Sequence, residues 1–233
     1  MKKSIQILNT SIQCYFSATM LGYSVVIIGG IGLFIALAQQ VHQHGELWFD
    51  TAILTLLSEH RTLVLDEFFL WITWAGSKFF LLPLSMAIIG ILIYRRHYPE
   101  AILMGIGFGG ASLINLALKV LIVRERPLLF LPLEEYGGFA FPSGHTAQIT
   151  AFALSAFLII HRLHPRWQWP TAILLIILVL CVSTSRLYLQ VHYPSDILGG
   201  FLVALVWIFS IDALIHIINQ SEHYPTEKEG NNT

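Results

Sequence analysis

Charge is scarce in this chain. Its 233 residues include 13 Lys or Arg and 14 Asp or Glu, a charged share of 12%, where soluble domains carry about 25%. With 55% hydrophobic residues and a mean hydropathy of +0.68, that shortage argues against a water-soluble globule. Basic tracts are also missing and the net charge is −1, so nothing points to a nucleic-acid partner. Cysteine is limited to Cys14 and Cys181, far apart and the second inside an apolar run. Neither a disulfide framework nor metal-ligand spacing can be built from them. The short apolar core of a signal peptide is absent too. Ala36-Leu37-Ala38 looks like a cleavage site, but the apolar segment before it starts about twenty residues in and exceeds the usual 7–15. An uncleaved membrane anchor is expected there.

What the chain does have is apolar runs of membrane-spanning length. A hydrocarbon core of about 30 Å takes roughly 20 residues of helix. Six runs meet or approach this, at about 20–39, 67–94, 100–123, 143–161, 169–187 and 196–217. The expected fold is all-α: a single membrane-embedded domain over 1–233, with six transmembrane helices and a polar tail at 218–233. Six spans put both termini on one side. That side carries Lys2, Lys3, Arg95, Arg96, Arg162, Arg166 and Lys228, while the other carries only Arg61 and Arg124 outside the clusters described below. Positive charge stays inside, so both termini are expected in the cytoplasm.

Two segments outside the runs are unusual. In 40–66, Leu47, Phe49, Ile53, Leu54 and Leu57 alternate with Glu46, Asp50 and Glu59, which suits either a helix lying on the outer interface or an ordinary amphipathic connector. The 124–142 loop is rich in Leu and Phe, which suggests that it dips towards the headgroups, with Glu134 and Glu135 as its solvated edge. Gly105, Gly109 and Ala204 would permit close helix packing.

Three polar clusters interrupt this apolar plan, each at the end of a run and all on the expected outer side. The first is Lys119, six residues, then Arg126-Pro127. Seven residues are about two helical turns, so both cations can share a face, and Pro127 favours an end to the helix. An intramembrane lysine is a functional candidate by default, although both side chains could equally snorkel to the interface. The second is Pro142-Ser143-Gly144-His145. It reads as a helix start whose free N–H groups suit a phosphate, with Gly144 allowing close approach and His145 placed to donate a proton; a plain capped helix start fits as well. The third is Ser185-Arg186, five residues, His192, three residues, Asp196. A carboxylate on one imidazole nitrogen leaves the other free as a nucleophile, and Arg186 offers a fork for two phosphate oxygens. His192 and Asp196 meet either on one helix face or through a turn at Tyr193-Pro194.

Taken together, K-x6-RP, PSGH and SR-x5-H-x3-D, matched by Lys119 to Pro127, Pro142 to His145 and Ser185 to Asp196, resemble the signature of the type 2 phosphatidic acid phosphatase superfamily. Within it the six-helix plan looks like the bacterial membrane branch, of the phosphatidylglycerophosphate phosphatase B type. The resemblance implies a metal-independent lipid phosphatase. His192 would attack phosphorus to form a phosphohistidine, Asp196 would orient and stabilise it, and His145 would protonate the leaving oxygen and then activate water. Lys119, Arg126, Ser143, Gly144 and Arg186 would hold the phosphate oxygens and do the work of a metal, so no cofactor is implied. The substrate would be a lipid phosphomonoester or diphosphate in the bilayer. Phosphatidylglycerophosphate is favoured and undecaprenyl diphosphate is the alternative. The location implied is a bacterial plasma membrane with the site at the outer face. A vanadium-dependent haloperoxidase shares the clusters but is soluble, and a non-catalytic lipid-binding or transport protein would not need the whole set.

Lys78, inside the second run after Gly76-Ser77, is a further candidate for the phosphate or for a second anionic group. Asp212, near the inner end of the sixth run, reads as interfacial. The charge-based orientation has a direct check. With Cys14→Ser and Cys181→Ser as background, Leu131→Cys is expected to react with an impermeant thiol reagent in intact cells, and Glu227→Cys only after permeabilisation. The opposite pattern would put the clusters in the cytoplasm.

Overall fold

A computed structural model of the chain describes the backbone of residues 2–133 and 137–223, and the side chains of 18–133 and 137–220. Glu134, Glu135 and residues 224–233 of the polar tail lie outside the described residues. Every regular element is helical among the described residues: α1 (Lys2–His44), α2 (Trp48–Glu59), α3 (Leu63–Trp74), α4 (Lys78–Tyr94), α5 (Tyr98–Ile122), α6 (Gly144–Leu163), α7 (Gln168–Tyr188) and α8 (Pro194–His223), with a 3₁₀ turn at Pro165–Trp167 before α7.

Six stretches are long and apolar enough to cross a membrane, as expected: Ala18–His44, Leu63–Tyr94, Tyr98–Ile122, Gly144–Leu163, Pro165–Tyr188 and Pro194–Gln220. The second departs from the sequence reading. It begins at Leu63 rather than about 67 and is two helices, because the chain turns at Ala75-Gly76-Ser77. Thr62 caps α3 by accepting from the Leu65 amide, and Ser77 caps α4 by accepting from the Phe80 amide. A serine cap in mid-span restarts the helix and satisfies a backbone donor that lipid could not.

α6 packs against α4, α5, α7 and α8, while α1 lies against α8 and α3 against α7. The core runs through Leu103, Met104, Ala111, Ile149, Ala151, Val182, Ala204 and Ile208. Ala204 is in this core, whereas a side chain at Gly109 would meet open space. Around the bundle many Leu, Ile and Val side chains are exposed, which suits a surface facing lipid rather than water.

The 40–66 segment holds a helix, α2, but its orientation differs from a simple amphipathic one. Asp50 and Leu54, one turn apart, are both fully buried, while Trp48 and Leu56 are exposed. The acidic side chain faces the protein because a partner awaits it there. The apolar loop is divided in a similar way: Leu128 and Leu131 are exposed, and Phe141 is fully buried. Asp212 is buried rather than interfacial. It accepts a hydrogen bond from Tyr23 at 2.6 Å and pairs with Arg162, so it joins α1, α6 and α8 at the end of the bundle away from the clusters.

Glycine decides how closely α6 and α8 approach. A Cβ on Gly200 would stand 2.5 Å from the Ser143 carbonyl oxygen, a backbone atom that cannot swing aside. Gly200→Ala is therefore expected to cost about 1–3 kcal/mol by overpacking, read as a lower thermal midpoint in detergent. Gly105→Ala, whose new methyl would sit 3.5 Å from the end of Ile89, should be tolerated. Equal midpoints for the two variants would contradict this packing.

Candidate active site

The three clusters converge at one end of the bundle, and hydrogen bonds join them pairwise. Lys119, in the last turn of α5, donates to the carbonyls of Phe139 and Ala140 at 2.5 and 3.2 Å, tying the first cluster to the strand of chain that enters the second. Arg126 donates to the Val191 carbonyl at 2.8 Å, tying it to the third. The Ser143 amide donates to the Asp196 carbonyl at 2.9 Å, which joins the second and third directly. Asn115 of α5 adds bonds of 3.3 and 3.4 Å to the Pro142 and Ser143 carbonyls. The Pro142 carbonyl precedes the α6 helix ladder, whereas the Ser143 carbonyl also accepts the Ala147 amide at 3.0 Å.

Lys119 and Arg126 do not share a helix face. α5 ends at Ile122, and Val123 takes a left-handed conformation with φ 54°, uncommon for a β-branched residue. The turn sends the following chain back across the bundle end, so Arg126 reaches the site from a loop, with its guanidinium on the Gly137, Gly138 and Val191 carbonyls. Gly144 opens α6, and a Cβ on it would stand 3.4 Å from Asn115 Oδ1 and 3.9 Å from Lys119 Cε. Ser143 caps α6, and its fully buried hydroxyl accepts from the Thr146 amide and hydroxyl.

His145 is half-buried in the first turn of α6. A Cβ on Gly76 would come within 3.4 Å of its ring and 2.3 Å of Val182, so the break in the second span is packed against the site. Arg186 is fully buried and donates to Thr73, also beside that break, at 2.5 Å. Lys78 starts α4 two residues beyond Gly76 but is exposed, its ammonium 5.2 Å from the Phe79 ring centre. It is not gathered into the cluster with the other cations.

His192 precedes α8, so the turn at Tyr193-Pro194 brings it to Asp196, not a shared helix face. Its Nδ1 lies 3.1 Å from Asp196 Oδ2, and the same oxygen accepts the Tyr193 amide at 2.8 Å. Burial, followed by the positive charges of Lys119, Arg126, Arg186 and Arg124, holds the His192 imidazole well below its ordinary pKa. Four cations thus act on one neutral ring. With Nδ1 donating to Asp196, Nε2 carries the lone pair.

Two residues at the centre of this arrangement escaped the sequence reading. Arg124 had served only as a topological charge, yet it is buried and donates to Asp196 at 2.6 Å, Asp50 at 2.8 Å, Ser195 at 2.7 Å and the Gly45 carbonyl at 2.6 Å. Its guanidinium also lies 4.1 Å over the Tyr193 ring. Asp50 accepts from Arg124, from the Ser195 amide and hydroxyl and from the Leu47 amide. The available signal was an aspartate within an otherwise apolar helical pattern. Tyr193 donates to Glu46 at 2.7 Å, and burial together with this bond raises its phenol pKa. Among the described residues no three His, Cys, Asp or Glu side chains gather as a metal-ligand set.

Residues 107–220 match the model of the PAP2 superfamily. Phosphatidylglycerophosphatase B of Bacillus subtilis is 33% identical over 182 residues, covering 76% of this chain and 89% of that protein. An undecaprenyl-diphosphatase of Sulfolobus acidocaldarius is 27% identical over 69% of this chain and 75% of its own length. Among solved structures, a transmembrane PAP2-type phosphatidylglycerolphosphate phosphatase from Bacillus subtilis superposes with a TM-score of 0.76 at 31% identity, over 83% of this chain and 98% of that one.

The electrostatics of His192 carry a stability signature. Its folded pKa lies below the unfolded value of about 6.5. As pH falls below about 6.5 the unfolded chain binds a proton that the folded one does not, so stability drops until the folded pKa is reached. His192→Gln is expected to flatten the acid side of a plot of thermal midpoint against pH, between about 6.5 and 5. An unchanged slope would mean that the ring is not held neutral.

Proposed function

Because the chain belongs to the PAP2 superfamily, we propose that it is a membrane lipid phosphatase in which His192 attacks the substrate phosphorus. The observation that carries this reading is the single end of the bundle where His192, held by Asp196, meets Lys119, Arg126, Arg186 and His145. His192 Nε2 forms a bond to phosphorus as the bond to the lipid oxygen breaks. Asp196, on Nδ1, balances the positive charge that the ring acquires. His145 gives its proton to the leaving oxygen, then takes one from the water that cleaves the phosphohistidine and releases inorganic phosphate. Lys119, Arg126 and Arg186, with the α6 N-terminus at Ser143-Gly144, neutralise the phosphoryl oxygens. These groups supply the positive charge of the transition state, and the mechanism has no step that needs a metal.

The substrate phosphate belongs to a lipid. An apolar cavity of about 640 Å³ between α6, α7 and α8 runs from Thr146, beside His145, towards Phe157 and Trp169, and could take a hydrocarbon chain. Identity to phosphatidylglycerophosphatase B favours phosphatidylglycerophosphate. The 27% identity to an undecaprenyl-diphosphatase favours undecaprenyl diphosphate as the second reading. Both carry a second anionic group, and Lys78, outward-facing two residues from the Gly76 turn, would attract it while the lipid is still in the bilayer. Similarity to a Bacillus subtilis membrane phosphatase supports a bacterial plasma-membrane location, and the charge distribution supports cytoplasmic termini with the site on the outer face.

Phosphate release from a panel of lipid phosphates by purified protein in detergent tests the substrate. Two variants test the roles. His192→Ala is expected to be inactive on every substrate. His145→Ala should lose far more activity on a lipid phosphomonoester, whose alkoxide needs a proton, than on p-nitrophenyl phosphate. Turnover by His192→Ala would identify another nucleophile, and equal losses for His145→Ala would assign that histidine to binding.

A further inference from the structure

We infer that Asp50, on α2 and outside all three motif clusters, is a positioning residue for the reaction, acting on His192 through Arg124 and Asp196. This rests on the reading of His192 as nucleophile. Asp50, Asp196 and His192 are almost wholly enclosed and Arg124 is 6% exposed, so charges here are poorly screened by water. Arg124 bridges the two carboxylates, at 2.8 Å to Asp50 and 2.6 Å to Asp196. Two carboxylates and one guanidinium leave one negative charge in surplus. That surplus faces the imidazole that becomes positive when it bonds to phosphorus. Without Asp50 the Arg124 charge falls entirely on Asp196, and no net negative charge remains for His192.

Geometry adds to charge. Asp50 Oδ1 accepts the Ser195 amide at 2.9 Å and Oδ2 the Ser195 hydroxyl at 2.6 Å. It thereby caps the N-terminus of α8 from a different helix, one residue before Asp196. α2 is thus joined to the turn that carries His192 by Asp50 and, through Tyr193, by the neighbouring Glu46. A helix that sequence alone reads as either an interfacial helix or a connector thereby becomes a wall of the site.

Asp50→Asn preserves shape and removes the charge. Assayed on p-nitrophenyl phosphate and on the favoured lipid, it is expected to lower kcat about 10- to 100-fold, by analogy with the loss when the outer partner of a metal-ligating side chain is removed, with KM little changed. Arg124→Met should also lower kcat, because Asp196 loses the guanidinium that fixes its Oδ1, and the double variant should fall no further than Arg124→Met alone, since both act through one path. An unchanged kcat for Asp50→Asn, or losses that multiply, would overturn the inference, as would a loss of activity that merely follows the fraction of folded protein. Should Asp50→Asn not be recovered folded, Ser195→Ala deletes the hydroxyl between Asp50 and Arg124 without removing a charge. Its kcat should drop about 2- to 10-fold, the worth of one hydrogen bond, and no drop would overturn the inference. His192→Ala run in parallel separates the two readings: turnover there sinks the nucleophile assignment, while an inactive His192→Ala beside an unimpaired Asp50→Asn sinks only the role of Asp50.

Discussion

The Asp196 carboxylate is the point on which the site end of the bundle depends. One oxygen receives the His192 ring and the Tyr193 amide, and the other receives Arg124. Its own backbone carbonyl receives the amide of Ser143. A single fully buried aspartate therefore links the start of α8, the turn before it, the loop after α5 and the start of α6. Burying such a charge is costly unless every lone pair is engaged. The engagement is what forces segments distant in sequence into one arrangement.

The bilayer explains why this network sits where it does. In hydrocarbon an unpaired polar group costs several kcal/mol, so cations and carboxylates collect at helix ends, where water and backbone carbonyls are available. Lys119 at the end of α5, His145 at the start of α6, Arg186 near the end of α7 and Asp196 at the start of α8 all follow that rule. The second span does so by a different route. Its turn at Ala75-Gly76-Ser77 creates new helix ends inside the span; Thr73, just before it, meets Arg186, and Gly76, within it, packs beside His145. A Cβ at Gly76 would collide with Val182, so the close approach of this turn to α7 depends on glycine.

The second half of the chain was the more legible. Apolar runs of spanning length located six spans, and three polar interruptions at their ends marked the residues that meet. Hydropathy reports how much of a helix is apolar. It is blind to a local turn such as the one in the second span, where each half remains apolar. The roles of Asp50 and Arg124 were hidden for a related reason. A charge near a run's end looks the same whether it meets water or a buried partner, and Asp50 lies 74 positions from Arg124. Asp212 was misread as interfacial for the same cause: its partners, Tyr23 and Arg162, come from two other helices.

By itself the sequence determined the all-helical membrane architecture and the residue types that gather at the candidate site. Both follow from short-range properties: the length of apolar runs against the thickness of a bilayer, and residue types at fixed spacing within a few turns of chain. Only the tertiary structure decided how the motif side chains are aimed. Lys119 and Arg126 arrive by a helix and a loop because Val123 turns left-handed. His192 reaches Asp196 by a turn because α8 begins at Pro194. Asp50 faces inward because Arg124 and Ser195 offer it three hydrogen-bond donors, one of them charged, from a distant part of the chain. Pairing between buried charges is a long-range choice, set by which helix ends the packed bundle brings together.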